Sequence, residues 1–554
     1  MANKFDVGAE DAKLALLREK EEEDLAEVLS SKYGLTYTDL GVVPIDVDAL
    51  RLIPEDVARE AEVVAFSKVA KQVSVALHNP GNPALPVVLA DLEAQGYILT
   101  KFLVSTKSLN KGYARYADLS FASESAVGSF DISGDELVAL SQELTSLATL
   151  RANLTKTLSE KKGSQVSKVF EAMLAAAFVM KASDIHLEPE EADVRFRLRL
   201  DGMLTDTFSF EHRVHRLLNS RIKLLSGLKL NVVNRAQDGR FTVVMNDSQI
   251  EVRTSVIPGN YGESIVLRIL DPRAINKSFN DLGIHPKLLS RLATEIRRPT
   301  GMLLNTGPTG SGKTTSLYTF LREIHTPEIK IVTIEDPIEY HLQGIVQTQT
   351  GKDYTFASGL RSVLRQDPDV IMVGEIRDAE VAETAIQAAL TGHFVFSTLH
   401  TNNAAGTFPR LVDLKVDPKL FASSVTVSMA QRLVRTLDGN KKARPATGEE
   451  KKMMEKVLST LIDRSLLPAS MDTVYDAVPD EEGSSGYKGR MGIHEAIFMD
   501  EELGEFLRTN PSEGDIAKHV LRQGFPTLAQ DGILKVLEGK TTIEELRRVV
   551  DLPQ

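Results

Sequence analysis

A glycine-rich segment carries the residues whose types and spacing most clearly indicate chemistry. Residues 307–314 follow the pattern G-x-x-x-x-G-K-[ST], after an apolar stretch and before a helical pattern. Glycines in such a loop let successive backbone N–H groups and a helix N-terminus face phosphate oxygens. The segment therefore predicts a P-loop, or Walker A loop, that binds ATP. Its expected nucleotide-binding residues are Gly307, Pro308, Thr309, Gly310, Ser311, Gly312, Lys313, Thr314 and Thr315.

Two residues of this loop and one acidic residue downstream have expected roles around the phosphates. In P-loop NTPases the lysine reaches the β- and γ-phosphates and the next hydroxyl ligates Mg²⁺, which assigns these roles to Lys313 and Thr314. Residues 369–375 form an apolar strand pattern that ends in Glu375, as a Walker B segment does. An acid after a buried strand is by itself often a plain surface carboxylate. Together with the loop, the pattern predicts Thr314 and Glu375 as the metal site, with ATP and Mg²⁺ as cofactors.

A second acidic cluster offers candidates for activating the attacking water. Glu335 and Glu339 follow the strand pattern Lys330–Ile334, and open parallel sheets bind ligands at the carboxyl ends of their strands. Either glutamate is a candidate for polarising water, and so is Glu375. A general base must reach that water through a hydrogen bond, and a sequence gives no distances. The choice between Glu339 and Glu375 therefore stays open at this point.

One histidine also follows an apolar strand pattern. His400 comes shortly after Phe394–Phe396, again at the end of an expected strand. A lone histidine is usually structural, but this position makes His400 a candidate for contacting the γ-phosphate. His393, just before the same strand, is the weaker candidate.

These residues require a sheet whose strands end side by side. From about residue 276, strand and helix patterns alternate around the glycine-rich loop, which predicts a parallel sheet covered by helices. The patterns are the strand Met302–Asn305, the helix Ser316–Ile324, and the strands Lys330–Ile334 and Val370–Val373. The predicted fold class is α/β.

The rest of the chain predicts further domains. Its 554 residues exceed what one hydrophobic core normally supports. The stretches Asp184–Glu188 and Val194–Leu198 alternate polar and apolar residues, which predicts a half-exposed sheet, and the β-rich stretch Val73–Leu77 lies among short helical patterns. We predict a charged arm at 1–25, a small α/β domain at 26–116, a linker at 117–164, a second α/β domain at 165–275, and an α/β domain with a C-terminal helical region at 276–554.

Composition excludes several classes of protein. The chain has no cysteine, which excludes disulfides, thiolate metal sites and cysteine nucleophiles. The formal net charge of −12 disfavours a non-specific nucleic-acid binder, which needs a basic face. No apolar run approaches the roughly 18 residues that a membrane span requires, and the first 22 residues lack the apolar core of a secretory signal. We therefore expect a cytoplasmic protein without a transmembrane segment.

The chain resembles the type II secretion and type IV pilus assembly ATPases over about residues 165 to 550. The resemblance rests on the glycine-rich loop and on seven further motifs. These are Ala182-Ser-Asp-Ile-His-Leu-Glu-Pro189, Gln237-Asp-Gly-Arg240, Glu335-Asp-Pro-Ile-Glu-Tyr340, Leu364-Arg-Gln-Asp-Pro-Asp369 with Gly374-Glu-Ile-Arg-Asp378, Thr391-Gly-His393, Ser397-Thr-Leu-His-Thr-Asn402 and Gly486-Tyr-Lys-Gly-Arg490.

The resemblance implies a RecA-like ATPase domain preceded by a PAS-like domain, with six copies of the chain in a ring. Nucleotide is expected between these two domains, and hydrolysis is expected to move them relative to each other. By motif position, the resemblance assigns Arg240, Arg253 and Arg268 to the phosphates, where arginines neutralise developing charge. The alternative is that Arg253 and Arg268 are exposed strand residues in ordinary ion pairs.

The first 116 residues resemble, more weakly, the domain through which assembly ATPases dock on an inner-membrane platform protein. This favours pilus extension or secretion over retraction, and a location at the inner face of the cytoplasmic membrane. Some relatives bind cyclic di-GMP here through a repeated Arg-Leu-Gly pattern. That pattern is missing near the start of this chain, so we do not expect cyclic di-GMP binding.

The chain departs from the resembled family at one metal site. Many members hold a structural zinc through four cysteines shortly before the Tyr-Lys-Gly-Arg motif. Here the corresponding stretch, Leu437–Gly486, has no cysteine, and no histidine lies between His400 and His494. We expect no zinc, and a segment that is held by packing alone or is mobile.

The leading hypothesis is a hexameric motor ATPase that powers type IV pilus extension. A type II secretion or competence pseudopilus ATPase is the alternative, because these machines share the motor. Two further hypotheses are a nucleic-acid translocase, which the acidic charge disfavours, and a scaffold that binds ATP without turnover. The presence of Lys313, Thr314, Glu339 and Glu375 favours turnover over the scaffold.

Overall fold

The fold is described from a computed structural model. It covers residues 22–43, 45–50, 52–69, 71–118, 129–130, 140–159, 165–245, 248–271, 277–480 and 483–553. Most of the predicted charged arm, residues 1–21, lies outside this range, as do residues 272–276, where the last domain boundary was predicted. Residues 22–25 of the arm belong to the first helix.

The N-terminal body is a small α/β fold. Its four-stranded sheet has the order β1-β4-β3-β2, and Val73, Val75 and Leu77 of the central strand β3 are buried in its core. The strands are β1 (Thr36–Tyr37), β2 (Val63–Val69), β3 (Gln72–Leu77) and β4 (Ile98–Leu103), and the helices are α1 (22–33), α2 (Val47–Leu50), α3 (Glu55–Glu60), α4 (Leu85–Ala94) and α5 (Thr106–Ala114).

The second body is built on a seven-stranded sheet of order β5-β9-β10-β11-β6-β7-β8. Its strands are β5 (Ser129–Phe130), β6 (Asp184–Pro189), β7 (Val194–Leu200), β8 (Met203–Phe210), β9 (Gln237–Met245), β10 (Ser248–Gly259) and β11 (Gly262–Leu270), and its helices are α6 (140–143), α7 (Leu147–Ser159), α8 (Gln165–Val179) and α9 (His212–Leu225). The predicted alternation appears in β6, where Ile185 and Leu187 enter the core and Asp184 and Glu188 lie on the opposite face.

Residues 129–130 and 140–159 of the predicted linker belong to this second body. Leu147, Leu150 and Leu154 recur at helical spacing along α7 and are buried against the core that α8 completes. Strand β5, also inside the predicted linker, pairs with β9. Residues 140–159 of the linker predicted at 117–164 therefore pack against the domain, because an apolar stripe fixes the helix there.

The C-terminal body contains the predicted parallel sheet, with the strand order β14-β13-β15-β16-β12-β17-β20. Only β20 runs antiparallel to its neighbour. The strands are β12 (Gly301–Thr306), β13 (Ile331–Glu335), β14 (Val346–Gln349), β15 (Val370–Val373), β16 (Phe394–Leu399), β17 (Val425–Leu437) and β20 (Tyr487–Phe498). Met302 and Leu304 pack into one core and Leu303 into another, so helices cover both faces.

The helices of this body follow the alternation expected for a parallel sheet, and the last four come after its final strand, β20. They are α10 (Pro286–Glu295), α11 (Lys313–Ile324), α12 (Phe356–Val363), α13 (Ala379–Leu390), α14 (Thr407–Asp413), α15 (Pro418–Ser424), α16 (Gly448–Leu458), α17 (Glu501–Leu507), α18 (Glu513–Val520), α19 (Leu528–Leu537) and α20 (Ile543–Arg547). No helix in the described part of the chain is long and apolar enough to cross a membrane.

The cysteine-free segment folds as a strand pair, β18 (Lys442–Pro445) with β19 (Thr473–Asp476), that encloses α16. Met453 and Met454 of α16 are buried in the main core. Arg444 binds Glu450 through Nη1 and Nη2 at 2.8 and 2.7 Å, and its Nε donates to Asp476 at 2.9 Å. Packing and an ion-pair cluster therefore both hold this segment in place. The ion pairs were not expected from the sequence, which predicted a segment that is held by packing alone or is mobile.

Candidate nucleotide site

The glycine-rich loop joins the end of β12 to the start of α11, so its backbone lies at a helix N-terminus. Gly307 has φ 151° and Gly312 has φ 88°, in the region that favours glycine. A Cβ on Gly307 would lie 2.6 Å from the carbonyl oxygen of Gln431, and one on Gly312 would lie 2.8 Å from the Gln431 Nε2. The loop therefore needs glycine at both positions, and it forms a narrow cradle that suits phosphate.

Lys313 lies in this cradle. Its Nζ donates to the carbonyl oxygens of Gly307 and Pro308 at 2.8 and 3.1 Å. Burial lowers the pKa of Lys313 to about 8, although the nearby Glu375 carboxylate opposes this shift. The side chain is thus positioned over the loop, where the oxygens of a bound phosphate would replace its carbonyl partners.

The end of β15 brings the predicted Walker B acid next to the predicted histidine. The Glu375 side chain is 15% exposed, and its Oε2 lies 3.4 Å from the His400 Nε2. Glu375 also pairs with Arg377. The contact between Glu375 and His400 follows from the sheet order, because β15 and β16 are neighbouring parallel strands that end at the same edge.

The two glutamates of the second acidic cluster lie in different environments. Glu335 is buried and accepts hydrogen bonds from Tyr318, from Thr333 Oγ1 at 2.5 Å and from Gln347 Nε2 at 3.1 Å. Burial raises the pKa of Glu335, although these hydrogen bonds oppose the shift. Glu339 is about one third exposed and pairs with an arginine of the second body. Of the two carboxylates, the one on Glu339 is the more accessible to water.

That arginine is Arg253 of β10, which connects the second body to the candidate site. Its Nη1 lies 3.2 Å from the Glu339 Oε2, and its Nη2 donates to the Ile338 carbonyl oxygen at 2.6 Å. Arg240 lies 3.6 Å from Glu251, and the Nε of Arg268 donates to Asp184 at 3.0 Å. The structure therefore brings Arg253 to the acidic cluster, whereas Arg240 and Arg268 pair within their own sheet.

Sequence reasoning missed two polar residues beside the loop. Strand β17 runs parallel to β12, so Gln431 and Arg432 emerge next to the cradle. The Gln431 Oε1 accepts from Asn305 at 3.1 Å and from Ser316 at 2.8 Å, and the Arg432 Nη2 donates to the Asn402 carbonyl oxygen at 2.6 Å. Burial lowers the pKa of Arg432. The one available signal was the adjacent Gln-Arg pair in the middle of a strand rich in valine and other apolar residues.

The residues present fit Mg²⁺ and do not fit zinc. The described residues contain no group of three or more His, Cys, Asp or Glu side chains arranged to hold a metal. Mg²⁺ bound with ATP needs only one or two protein oxygens, because phosphates and water complete its shell. The exposed Thr314 hydroxyl at the start of α11 and the Glu375 carboxylate are such oxygens. A structural zinc needs cysteine or histidine ligands, and the segment that would hold one is closed by Arg444.

The phosphate cradle lies between β12 and α11, and an acidic residue follows β15 at the same edge of a mainly parallel sheet. These features define a P-loop NTPase fold of the RecA-like class. A family model described as type II/IV secretion system protein matches residues 159–548. The chain belongs to this type II/IV secretion system protein family. A model of the MshEN domain matches residues 33–116.

Three similar proteins indicate how far the likeness extends. Type IV pilus assembly ATPase PilB of Myxococcus xanthus is 34% identical over 534 residues, which cover 95% of this chain and 91% of that protein. Type II secretion system protein E of Aeromonas hydrophila is 42% identical over 389 residues, or 69% of this chain and 75% of that protein. The X-ray structure of the ATPase DotB of Yersinia pseudotuberculosis has a TM-score of 0.51 at 20% identity, covering 69% of this chain and 93% of that one. This last likeness concerns the fold alone.

These comparisons confirm the predicted family and the predicted fold class, a RecA-like P-loop domain after two smaller α/β domains. The relatives include both pilus assembly and secretion proteins.

Proposed function

We propose that this chain hydrolyses ATP with Mg²⁺ and works as a hexameric motor for type IV pilus assembly. It acts in the cytoplasm, at the inner face of the cytoplasmic membrane, on a platform protein of that membrane. The observation that carries the proposal is the contact of Arg253 with Glu339, because it joins a second domain to the nucleotide site.

Each residue of the nucleotide site has its own role in the proposed hydrolysis of ATP. The loop amides and Lys313 bind the phosphates, and Thr314 and Glu375 hold the metal. Mg²⁺, when bound with ATP, supplies positive charge that stabilises the transferred phosphoryl group. His400, which contacts Glu375, is assigned to the γ-phosphate. Glu339 orients the attacking water, because Glu335 is buried and already accepts three hydrogen bonds.

Arg253 and its neighbours Arg240 and Arg268 approach the phosphates as the domains move. In this structure, the positive charge of Arg253 pairs with the negative charge of the Glu339 carboxylate. Its transfer from that carboxylate to a phosphate would free Glu339 to accept a hydrogen bond from water. Hydrolysis and domain movement are coupled through this exchange of partners.

A biochemical and a genetic experiment test the proposal. Purified protein is expected to release phosphate from ATP only with Mg²⁺, and Lys313→Ala is expected to abolish release. Deletion of the gene is expected to remove surface pili, and the parent gene, but not the Lys313→Ala gene, is expected to restore them. A parent protein that binds ATP without turnover would instead support the scaffold hypothesis.

Type II secretion is the second candidate, favoured by the 42% identity to a type II secretion system protein E. The likeness to both kinds of protein extends over nearly the whole chain, since PilB covers 95% of it and the type II secretion system protein E of Dickeya dadantii covers 91% at 38% identity, so pilus assembly stands first only as the leading hypothesis from the sequence. A deletion strain that keeps its pili and retains exoproteins in the periplasm would reverse this order. A DNA affinity that falls steeply with salt would favour the translocase hypothesis.

A further inference from the structure

The second body's sheet carries a row of charged residues on the face opposite its core. Residues directly opposite each other on paired strands share a face. Arg240 pairs with Arg253, Arg253 with Arg268, Arg268 with Asp184, and Asp184 with Arg199. Four arginines and one aspartate therefore form a continuous line across five strands, and this arginine row includes the contact with Glu339.

Asp184 divides the arginine row and binds the arginine on each side. Its Oδ1 accepts from the Arg268 Nε at 3.0 Å, and its Oδ2 accepts from the Arg199 Nε at 3.0 Å and from the Ser183 Oγ at 2.9 Å. The Asp184 side chain is only 5% exposed. A buried carboxylate with one oxygen for each arginine fixes the direction in which both guanidinium groups point.

Arg199 and Arg268 differ in which of their nitrogen atoms have hydrogen-bond partners. The Arg199 Nη1 donates to the Gly202 carbonyl oxygen at 3.2 Å, which ties this arginine to the turn between β7 and β8. In that turn, the Asp201 Oδ2 accepts from the backbone N–H of Gly489 in the C-terminal body at 2.9 Å. The Arg268 side chain is 61% exposed, and within the described part of the chain only its Nε has a partner. Its two Nη groups thus have no hydrogen-bond partner among the described residues.

We propose that Asp184 is a positioning residue for ATP hydrolysis, holding Arg268 by its Nε so that its two Nη groups are presented to a phosphate. The inference rests on the proposed function and deepens it, because it assigns a role to the Ala182–Pro189 motif. Arg199 binds the other carboxylate oxygen of Asp184. It also connects Asp184 to the turn between β7 and β8, which contacts the C-terminal body. Arg268 is then preorganised before any phosphate arrives.

A double-mutant cycle on the full-length protein tests this role. Asp184→Asn keeps the size of the side chain and removes its charge. We expect kcat to fall about tenfold, as one lost transition-state contact does, with the dissociation constant for ATP within twofold of the parent. Arg268→Ala is expected to have the same effect, and Asp184→Asn added to Arg268→Ala is expected to lower kcat no further.

Glu188→Gln is the matched control. Glu188 lies on the same strand and face, and its Oε2 accepts from the Arg197 Nη2 at 2.5 Å, but Arg197 is not part of the arginine row. This variant loses a comparable ion pair and should keep kcat within twofold of the parent. An equal loss of kcat in Glu188→Gln would mean that any ion pair on this face matters, and would overturn the assignment to Asp184.

Arg268→Lys keeps the inference testable if Asp184→Asn fails to fold. Lysine retains a positive charge next to Asp184 but lacks the two Nη groups. We expect Arg268→Lys to lose kcat as Arg268→Ala does, and a normal kcat would overturn the inference. A further tenfold loss on adding Asp184→Asn to Arg268→Ala would also overturn it, while leaving parent turnover and the proposed function intact. Absence of turnover in the parent would instead refute the proposed function, and the inference with it.

Discussion

The lowered pKa of Lys313 predicts that ATP binding weakens as the pH rises. A phosphate favours the charged ammonium, so binding must supply a proton wherever the free site has lost it. With a pKa of about 8, roughly nine tenths of the free sites are charged at pH 7 and about one tenth at pH 9. The dissociation constant should therefore rise about tenfold over this range, which corresponds to about 1.4 kcal/mol.

Isothermal titration calorimetry with MgATP between pH 7.5 and 9 measures this effect. The second pKa of a phosphate group is about 6, so the charge of ATP itself is constant over this range. Titrations at pH 8.5 in two buffers of different ionisation enthalpy should report an uptake of about three quarters of a proton per site, the fraction of Lys313 that is neutral there. Lys313→Ala lacks the titrating group, and its weaker affinity should not change with pH.

Constant affinity of the parent protein between pH 7.5 and 9, with no proton uptake, would refute this reasoning. It would mean that Lys313 is fully charged in the free site, and that the Glu375 carboxylate outweighs the effect of burial on the lysine.

Three further predictions concern other parts of the C-terminal body. Glu375→Gln and Glu339→Gln should each lower kcat at least about 100-fold while the protein still binds ATP, measured by phosphate release and by calorimetry; an unchanged kcat would remove that glutamate from the proposed mechanism. Arg444→Met should lower the melting temperature by about 2 °C, because it breaks ion pairs worth about 1 kcal/mol in a body of roughly 280 residues, whereas a zinc chelator should leave the parent's melting temperature unchanged. Tyr318→Phe should destabilise the protein by about 1–3 kcal/mol in urea unfolding, because buried Glu335 loses a donor, and an unaltered midpoint would contradict that account.

The sequence predicts the parts of the site that depend on local patterns. Strand Val370–Val373 has its predicted bounds, and the glycine-rich loop lies between a strand and a helix as its pattern requires. His400 and Glu375 were each expected at a strand end, and the strand order explains why they meet. Such predictions succeed because the residues that specify the structure are close together in the chain.

The remaining features depend on contacts between residues far apart in the chain. Glu335 and Glu339 look equivalent in the sequence, and only the packing of Tyr318 and Gln347 separates a buried carboxylate from an accessible one. Gln431 reaches Asn305 across 126 positions, a contact that no local pattern encodes. The apolar stripe of α7 was visible, but the polar residues between its leucines favoured a linker. In each of these cases, contacts between residues far apart in the chain select one of two structural environments that the local sequence favours equally.

The contact between Arg253 and Glu339 suggests why hydrolysis would need movement of the second body. Arg253 binds the Glu339 carboxylate through Nη1, the Ile338 carbonyl oxygen through Nη2 and Glu251 through Nε, so three of its five N–H groups already have partners. A γ-phosphate carries more negative charge than a carboxylate, so it competes for the arginine once ATP is bound. Because Glu251 lies on β10 itself, Arg253 is tied to its own strand, and a shift of its guanidinium group towards the phosphate would pull on β10. Exchange of one anion for the other would therefore act, through β10, on the sheet that carries the arginine row.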